Sequence, residues 1–314
     1  MNRTSFATVS VLAVACCAFS CATTPEQTGP ATPKRIEGLT EPTITERAPA
    51  YSSPAELRQL VEAAAEARTE FLRKFPPPEL KCHYVTEKIH IDGRLDERAW
   101  QQAPLASNFR LTRELTPARL DTRARLLWGD KYLYIGFQCP DTDIIATLTK
   151  RDGDLWMEDV VEVFIDANGD EMSYIELELS PRNVLYDASV ADYRPEILWS
   201  NDLQHLDIYY GIKIYDAPDI RSAVYIDGTL NDSTDVDRGW SCEMAISWKD
   251  IARGTNIVRV PPEPGDVWRI GLYRININTD KGNNPDEYAA WNPTTSWFHV
   301  TWAFGRVIFT REVE

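Results

Sequence analysis

The sequence contains no basic stripe, no Cys-x-x-Cys pair, no internal repeat and no apolar run long enough to make a stable membrane span. Each absence removes a class of function. Lys and Arg number 33 against 48 Asp and Glu, so the net charge is −15 and nothing offers phosphates an electrostatic footprint. The same charge disfavours docking on anionic lipid. Without paired cysteines, zinc ribbons and covalently attached haem are excluded. What remains is a neutral or cationic partner, and neutral polymers such as polysaccharides fit well. At 314 residues the chain has room for one domain of roughly 200–250 residues plus extras, or two smaller ones. Its 43% hydrophobic and 26% charged content is that of an ordinary soluble protein.

The first segment is a targeting signal. A lone Arg3 precedes an apolar run over residues 6–19, which is too short and too rich in small residues for a span. It closes on Ala18-Phe19-Ser20-Cys21 and resembles a bacterial lipoprotein signal, in which Cys21 becomes the lipidated N-terminus of an exported protein. The alternative is ordinary cleavage after a small residue such as Ala15. Residues 22–52, rich in Pro, Thr and Glu, read as a tether that cannot build a core. With Cys16, Cys17 and Cys21 in the leader, Cys82, Cys139 and Cys242 are left. They permit at most one disulfide, with three possible pairings.

Residues 53–79 read as an amphipathic helix with a proline stop. Ser53-Pro54-Ala55-Glu56 is a capping box, Leu57, Leu60, Val61, Ala64, Phe71, Leu72 and Phe75 follow at helical spacing, and Pro76-Pro77-Pro78 ends the run. Residues 80–314 read as an all-β domain. Hairpins are expected around Gly129-Asp130 and Asn168-Gly169, with strands at 205–214, 222–226, 240–248, 267–277 and 305–310 and short helices at 95–100 and 248–251. Strands separated by turns, without βαβ alternation, predict an antiparallel β-sandwich.

Alternation along the strands exposes a candidate binding face. Ile175, Leu177 and Leu179 point to the core, while Tyr174, Glu176, Glu178 and Ser180 share the opposite side. If the hairpin turns at Asn168-Gly169, Glu162 falls near Glu176 or Glu178 on that same side. Carboxylates facing one another repel, and a cation, an arginine or a set of ligand hydroxyls would each relieve them. The candidate arginine is Arg274, which alternates with Ile270, Leu272 and Asn276. Ten tryptophans exceed what a core commonly needs; Trp156 precedes the Glu162 strand, and Trp291 and Trp297 flank an aperiodic loop. Loop tryptophans beside carboxylates suit a sugar, whose C–H face stacks on the ring while charged groups take its hydroxyls.

The segments 91–100 (IDGRLDERAW), 126–137 (LLWGDKYLYIGF), 155–170 (LWMEDVVEVFIDANGD) and 298–309 (FHVTWAFGRVIF) resemble, in order and spacing, the carbohydrate-binding modules of family 9. The resemblance implies a β-sandwich, often joined to glycoside hydrolases, that clamps a terminal sugar between two tryptophans and carries structural calcium. Residue by residue it makes Trp156 and Trp297 the clamp walls and Glu162 a hydroxyl-binding glutamate. Where the clamping type has Arg and Asn, this chain has Glu178 and Ser180. The expected function is non-catalytic sugar binding by an exported module at the outer membrane, in the periplasm or outside the cell. The expected ligand-binding residues are Trp156, Trp297, Glu162, Glu178, Arg274 and Asn276.

Two other functions compete. One is a haem-binding electron-transfer sandwich, for which the mature chain offers Met157, Met172, Met244, His83, His90, His205 and His299, with no telling spacing. The other is a glycoside hydrolase using Glu162 with Glu176 or Glu178, since cross-strand carboxylates can sit ~5 Å apart, near the separation a retaining enzyme needs. Residues 166–171 (DANGDE) match part of a calcium loop, but a hairpin turn is the simpler expectation.

Overall fold

A computed structural model describes residues 54–192, 209–212, 215–257, 259–278, 286–294 and 298–311. The leader, Cys21, the 22–52 segment, Trp199, His205 and Trp297 lie outside the described residues. Helix α1 (Pro54–Lys74) opens on a proline, runs through strong helix formers and stops before the three prolines. Fourteen strands are described: β1 (Glu79–Tyr84), β2 (Leu105–Ala106), β3 (Arg110–Leu111), β4 (Arg123–Trp128), β5 (Tyr132–Pro140), β6 (Val160–Asp166), β7 (Ser173–Leu179), β8 (Leu185–Asp192), β9 (Tyr209–Ile212), β10 (Arg221–Asp227), β11 (Gly239–Ser247), β12 (Val267–Asn276), β13 (Glu287–Ala290) and β14 (Gly305–Thr310). Short helices α2 (Arg98–Gln102) and α3 (Trp248–Gly254) sit where they were expected. Among the described residues no helix is long and apolar enough to cross a membrane.

The strands form one sheet in which eleven run in the order β10-β11-β5-β4-β1-β14-β12-β6-β7-β8-β9, with β2 beside β4, β13 beside β12 and β3 beside β13. It curls so that its two halves enclose one core, which makes the sandwich. Leu126, Ile135, Phe137, Cys242 and Met244 come from one half, and Val161, Val163, Leu177, Leu272 and Trp268 from the other. One part of the antiparallel expectation needs correcting: β1 runs parallel to both of its neighbours, β14 and β4. Neither neighbour is joined to it by a hairpin, since the chain runs from Tyr84 to Arg123 before β4 begins and β14 is the last strand. Cys82, Cys139 and Cys242 are buried and free, spread through the core.

The expected hairpins form. Trp128 pairs with Leu133 across Gly129-Asp130. β6 and β7 flank Asn168-Gly169, but the connection is longer than a two-residue turn. Asp166 accepts the N–H groups of Gly169 and Glu171 (2.7 and 3.0 Å), and Asp170 accepts those of Met172 and Ser173 (2.8 and 2.9 Å).

Seven of the eight described tryptophans are buried, which singles out the eighth, Trp156, at 37% exposure. Several bury the indole with its N–H satisfied: Trp100 donates to Glu243 (2.8 Å), Trp128 to the Thr310 carbonyl (3.1 Å) and Trp248 to the Gly129 carbonyl (3.0 Å). Glu243 also accepts the N–H groups of Asp92 and Gly93, both at 2.9 Å, so the 91–100 motif is a clasp over the outer face of β11. Gly93 is required there: its φ is +89°, and a Cβ would lie 2.4 Å from the Tyr225 nitrogen. Trp291, whose loop sequence suggested no core position, belongs to the core and lies against Gly305.

Helix α1 docks through its C-terminal half. Phe71 and Leu72 pack on Val300, Trp302 and Ala303; Phe71 meets Trp302 edge-on at 5.5 Å, and Arg68 pairs with Glu171 at 2.9 Å. This small cluster is separate from the main core. Phe71→Ala should therefore cost about 2 kcal/mol and lower the melting temperature by about 5 °C. A chain starting at Glu79 should keep its β-type circular dichroism spectrum while melting lower still. Loss of the folded signal in that truncation would make α1 part of the core.

Candidate functional site

The strands β12, β6, β7 and β8 are buried on both faces. Their inner side closes the sandwich, and their outer side carries the candidate site, ordered in cross-strand rows by the ladder register. One row reads Tyr273, Glu162, Glu178, Tyr186. The next reads Gly271, Phe164, Glu176, Ala188. The sequence placed Glu162 beside Glu176 or Glu178; Glu178 is directly opposite and Glu176 is the diagonal neighbour.

The Phe164 end of this face is filled by aromatics. Tyr273 stacks on Phe298 at 4.3 Å and lies over Gly271, where a Cβ would come within 2.4 Å of its hydroxyl. Phe164 packs against Tyr174, Tyr273 and His299 at 4.9–5.5 Å, and Tyr174 shares a 2.6 Å hydrogen bond with His299 Nδ1. The Tyr273 hydroxyl donates to the Phe298 carbonyl (2.9 Å) and accepts from Asn292 (3.0 Å), tying both ends of the 292–298 loop to the sheet. The other end is edged by exposed side chains. Trp156, on a single 3-10 turn (Leu155–Met157), meets Tyr186 edge-on at 5.8 Å with Met157 exposed beside it. Tyr288, on β13 opposite Ile275, is 45% exposed at the far edge.

Arg274 and Asn276 are not beside Glu162, and this corrects the expectation. Glu162 pairs with Tyr273, so Tyr273 shares its face while Arg274 points with Val161 into the sandwich. There Arg274 holds Asp141 (2.9 Å), the Pro140 carbonyl (2.7 Å), Thr122 (3.2 Å) and Asn276 (2.7 Å). The alternation with Ile270 and Leu272, both core residues, was already the signal for this. Tyr186, Tyr273 and Tyr288 are members that sequence reasoning missed; the same alternation in β12 would have found Tyr273.

Burial pushes the Glu162 carboxyl well above the usual range, and the negative charge of Glu176 adds to it. Burial likewise raises the Tyr273 hydroxyl. In the interior network Asp159 is pushed up to about 8, by burial first and then by Asp141.

The residues offer no calcium loop at 166–171. Asp166 and Asp170 are spent on the loop's own amides, and Glu171 is held by Arg68 and Arg269, each at 2.9 Å. Among the described residues no group of three His, Cys, Asp or Glu is placed to hold a metal ion. The haem candidates are dispersed in role: Met244 is in the core, Met157 and Met172 are exposed, and His299 is bonded to Tyr174.

A family model described as carbohydrate family 9 binding domain-like matches residues 91–312. An extracellular protein of Arthroderma benhamiae is 27% identical over 193 residues, which is 60% of this chain and 78% of its own length. The exoglucanase XynX of Acetivibrio thermocellus is 32% identical over 97 residues, 31% of this chain but 8% of the enzyme. A solved structure from Bacteroides uniformis, described as carbohydrate-binding, has a TM-score of 0.56 and 14% identity over 74% of this chain and 99% of its own. At that identity the likeness shows a shared fold.

Glu162 gives the site a pH signature. Its folded-state pKa is raised, so the unfolded chain gives up this proton first as pH rises, and the folded state loses stability above the ordinary glutamate range. Glu162→Gln should raise the melting temperature by a few degrees at pH 7.5 and leave it unchanged at pH 4. Destabilisation at pH 7.5 would show that Glu162 supports the fold.

Proposed function

The chain belongs to the carbohydrate family 9 binding domain-like family, whose model matches most of its length, and from that membership we propose that it is a non-catalytic carbohydrate-binding module. One observation carries the reading: the exposed Trp156 stands beside Tyr186 at the end of a row of buried glutamates, while the other described tryptophans are core. A pyranose presents an apolar C–H face and a rim of hydroxyls. The indole of Trp156 takes the first, and Glu162 and Glu178 take the second through hydrogen bonds. Trp297 directly precedes Phe298, which is seated on Tyr273, and it serves as the second wall.

The same reading assigns the rest of the chain. Residues 1–21 export it, Cys21 carries lipid, residues 22–52 tether the domain, and the module supports capture or breakdown of polysaccharide at the outer membrane or in the periplasm, alongside a glycoside hydrolase. The extracellular relative and the carbohydrate-active one support export and this setting.

Stacking on an aromatic is worth roughly 0.5–1.5 kcal/mol beyond area burial, so Trp156→Ala and Trp297→Ala should each weaken glycan binding about tenfold in calorimetric titration. The melting temperature should hardly move in Trp156→Ala. Trp268→Ala, in the core, should instead cost about 3–5 kcal/mol of stability. Stability loss without any effect on binding would remove Trp156 from the site. Release of product from aryl glycosides, lost in Glu162→Gln, would make the chain an enzyme.

Lipid attachment has its own test. Cys21→Ser should abolish fatty-acid labelling and membrane fractionation while the protein is still exported. Unchanged membrane association in that variant would exclude the lipid anchor.

A further inference from the structure

A second cleft lies where helix α1 gives way to the sheet. Pro76-Pro77-Pro78 end the helix, and the chain crosses to β1 with the Pro78 carbonyl accepting the Arg306 N–H (2.8 Å). From the sheet, β2 turns into β3 through Asn108, whose φ is +61°, and Arg110 then pairs with Ala290 just ahead of Trp291. Between the two lies a cleft of about 360 Å³, within the ~300–1,000 Å³ usual for small-molecule sites. Phe75, Pro78, Leu105, Trp291 and Pro293 give it apolar walls, and Ser107 and Asn108 add polar groups. Its charge is one-sided. Lys74 Nζ and Arg110 Cζ lie 5.2 and 6.0 Å from the centroid of the Phe75 ring, and no Asp or Glu is among the described residues of the lining. An aromatic ring attracts a cation but leaves its charge in place. The acids on either side of Lys74 along the chain are taken, Glu70 by Arg73 (2.7 Å) and Glu79 by Arg306 (2.6 Å). Arg110 spends Nη1 on the Leu115 carbonyl (2.8 Å), and among the described residues neither it nor Lys74 has a carboxylate partner. In a chain of net charge −15, this cleft is a local reversal of sign.

A guanidinium takes a carboxylate through two parallel N–H groups, an ammonium adds a point charge, and apolar walls suit the C–H face of a ring. A neutral sugar would leave both cations unanswered. An inorganic anion would leave the walls unused. We propose that this cleft is a second binding site, for a uronic acid unit of an acidic polysaccharide, with Arg110 and Lys74 holding its carboxylate and the apolar walls packing on its ring. The carbohydrate-binding reading supplies only that the carboxylate is borne on a sugar. The described lining shares no residue with Trp156, Glu162 or Glu178.

The test titrates a galacturonate oligomer and its methyl ester calorimetrically into the full chain, at neutral pH and about 0.15 M salt. The two ligands share ring, linkage and length, and the ester lacks the charge. The acid should bind at least about tenfold more tightly than the ester, as a charge-assisted pair implies. Arg110→Gln should abolish that preference and Lys74→Gln should reduce it, while binding of a neutral glucose oligomer is unchanged in both. Trp156→Ala should do the reverse, weakening the glucose oligomer and sparing the acid. Circular dichroism checks the fold of each variant, and Lys74→Gln, at an exposed position, carries the test if Arg110→Gln does not fold. Equal binding of acid and ester would overturn the proposal, as would a preference that survives when both cations are replaced. Loss of the acid in Trp156→Ala would move it to the first site and overturn the second. Displacement of the acid by an equal concentration of inorganic sulfate would make the cleft a site for any anion and overturn the sugar. No binding of the acid, with the glucose oligomer still bound, would remove this inference alone. No binding of either by folded protein would remove the carbohydrate reading with it.

Discussion

The rest of the structure depends on β12, β6 and β7 being dry on both sides. A strand with two buried faces is expected to be apolar throughout, because each polar group placed there must find a partner or bear the loss of its water. The inner faces obey this with Val161, Val163, Ile165, Ile175, Leu177, Leu179 and Leu272. The outer faces obey it only in part. Phe164, Tyr174 and Tyr273 are roofed by Phe298 and Phe304, yet Glu162, Glu176 and Glu178 break the pattern on the same surface. Antiparallel register then leaves no freedom, since Glu162 must face Glu178 if Val161 is to face Leu179. Packing on the inner side therefore fixes a repulsive arrangement on the outer side.

The two sets of buried charge differ in kind. The interior set centres on Arg274, whose guanidinium meets Asp141, the Pro140 carbonyl, Thr122 and Asn276 and so joins the end of β5 to β12. A buried ion pair with that many hydrogen bonds is internally compensated, although pairing of this sort gives specificity of fold more readily than net stability. The outer set has no such compensation at Glu162. Burial of an unpartnered acid detracts from folding and is tolerated where a ligand supplies what the fold withholds. The contrast sets an internally compensated network apart from a buried acid that the proposed site would use for recognition.

Much of this was legible from alternation. The hairpin at Asn168-Gly169, the inward set Ile175, Leu177 and Leu179, and the carboxylates sharing the outward side all follow from period two and a turn signal. The choice between Glu176 and Glu178 did not, because turn length sets register, and Asp166 and Asp170 build a longer turn than Asn-Gly alone suggests. Arg274 was misplaced for a different reason. Its charge suggested a partner for Glu162, but its spacing from Ile270 and Leu272 put it in the core, and spacing decides which way a strand residue points. Trp291 misled because an aperiodic loop carries no period to read; its burial depends on Gly305, 14 residues on, leaving room for the indole. The parallel pairing of β1 was invisible because it joins the two ends of the domain.

The proposed site sets two kinds of support side by side, strand and turn. Glu162 and Glu178 sit on strands laddered on both sides, so their backbones keep one register. In the proposed site these acidic groups are therefore positioned by the sheet before binding, which is the condition for preorganised recognition. Trp156 differs: it sits on a short turn, is partly exposed and touches Tyr186 only by its edge. Aromatic stacking accepts any ring with an apolar face, whereas a buried carboxylate rejects groups that cannot donate to it. In the proposed site, affinity for sugars as a class would come from Trp156 at the rim, and the choice among them from the glutamates of the sheet beneath it.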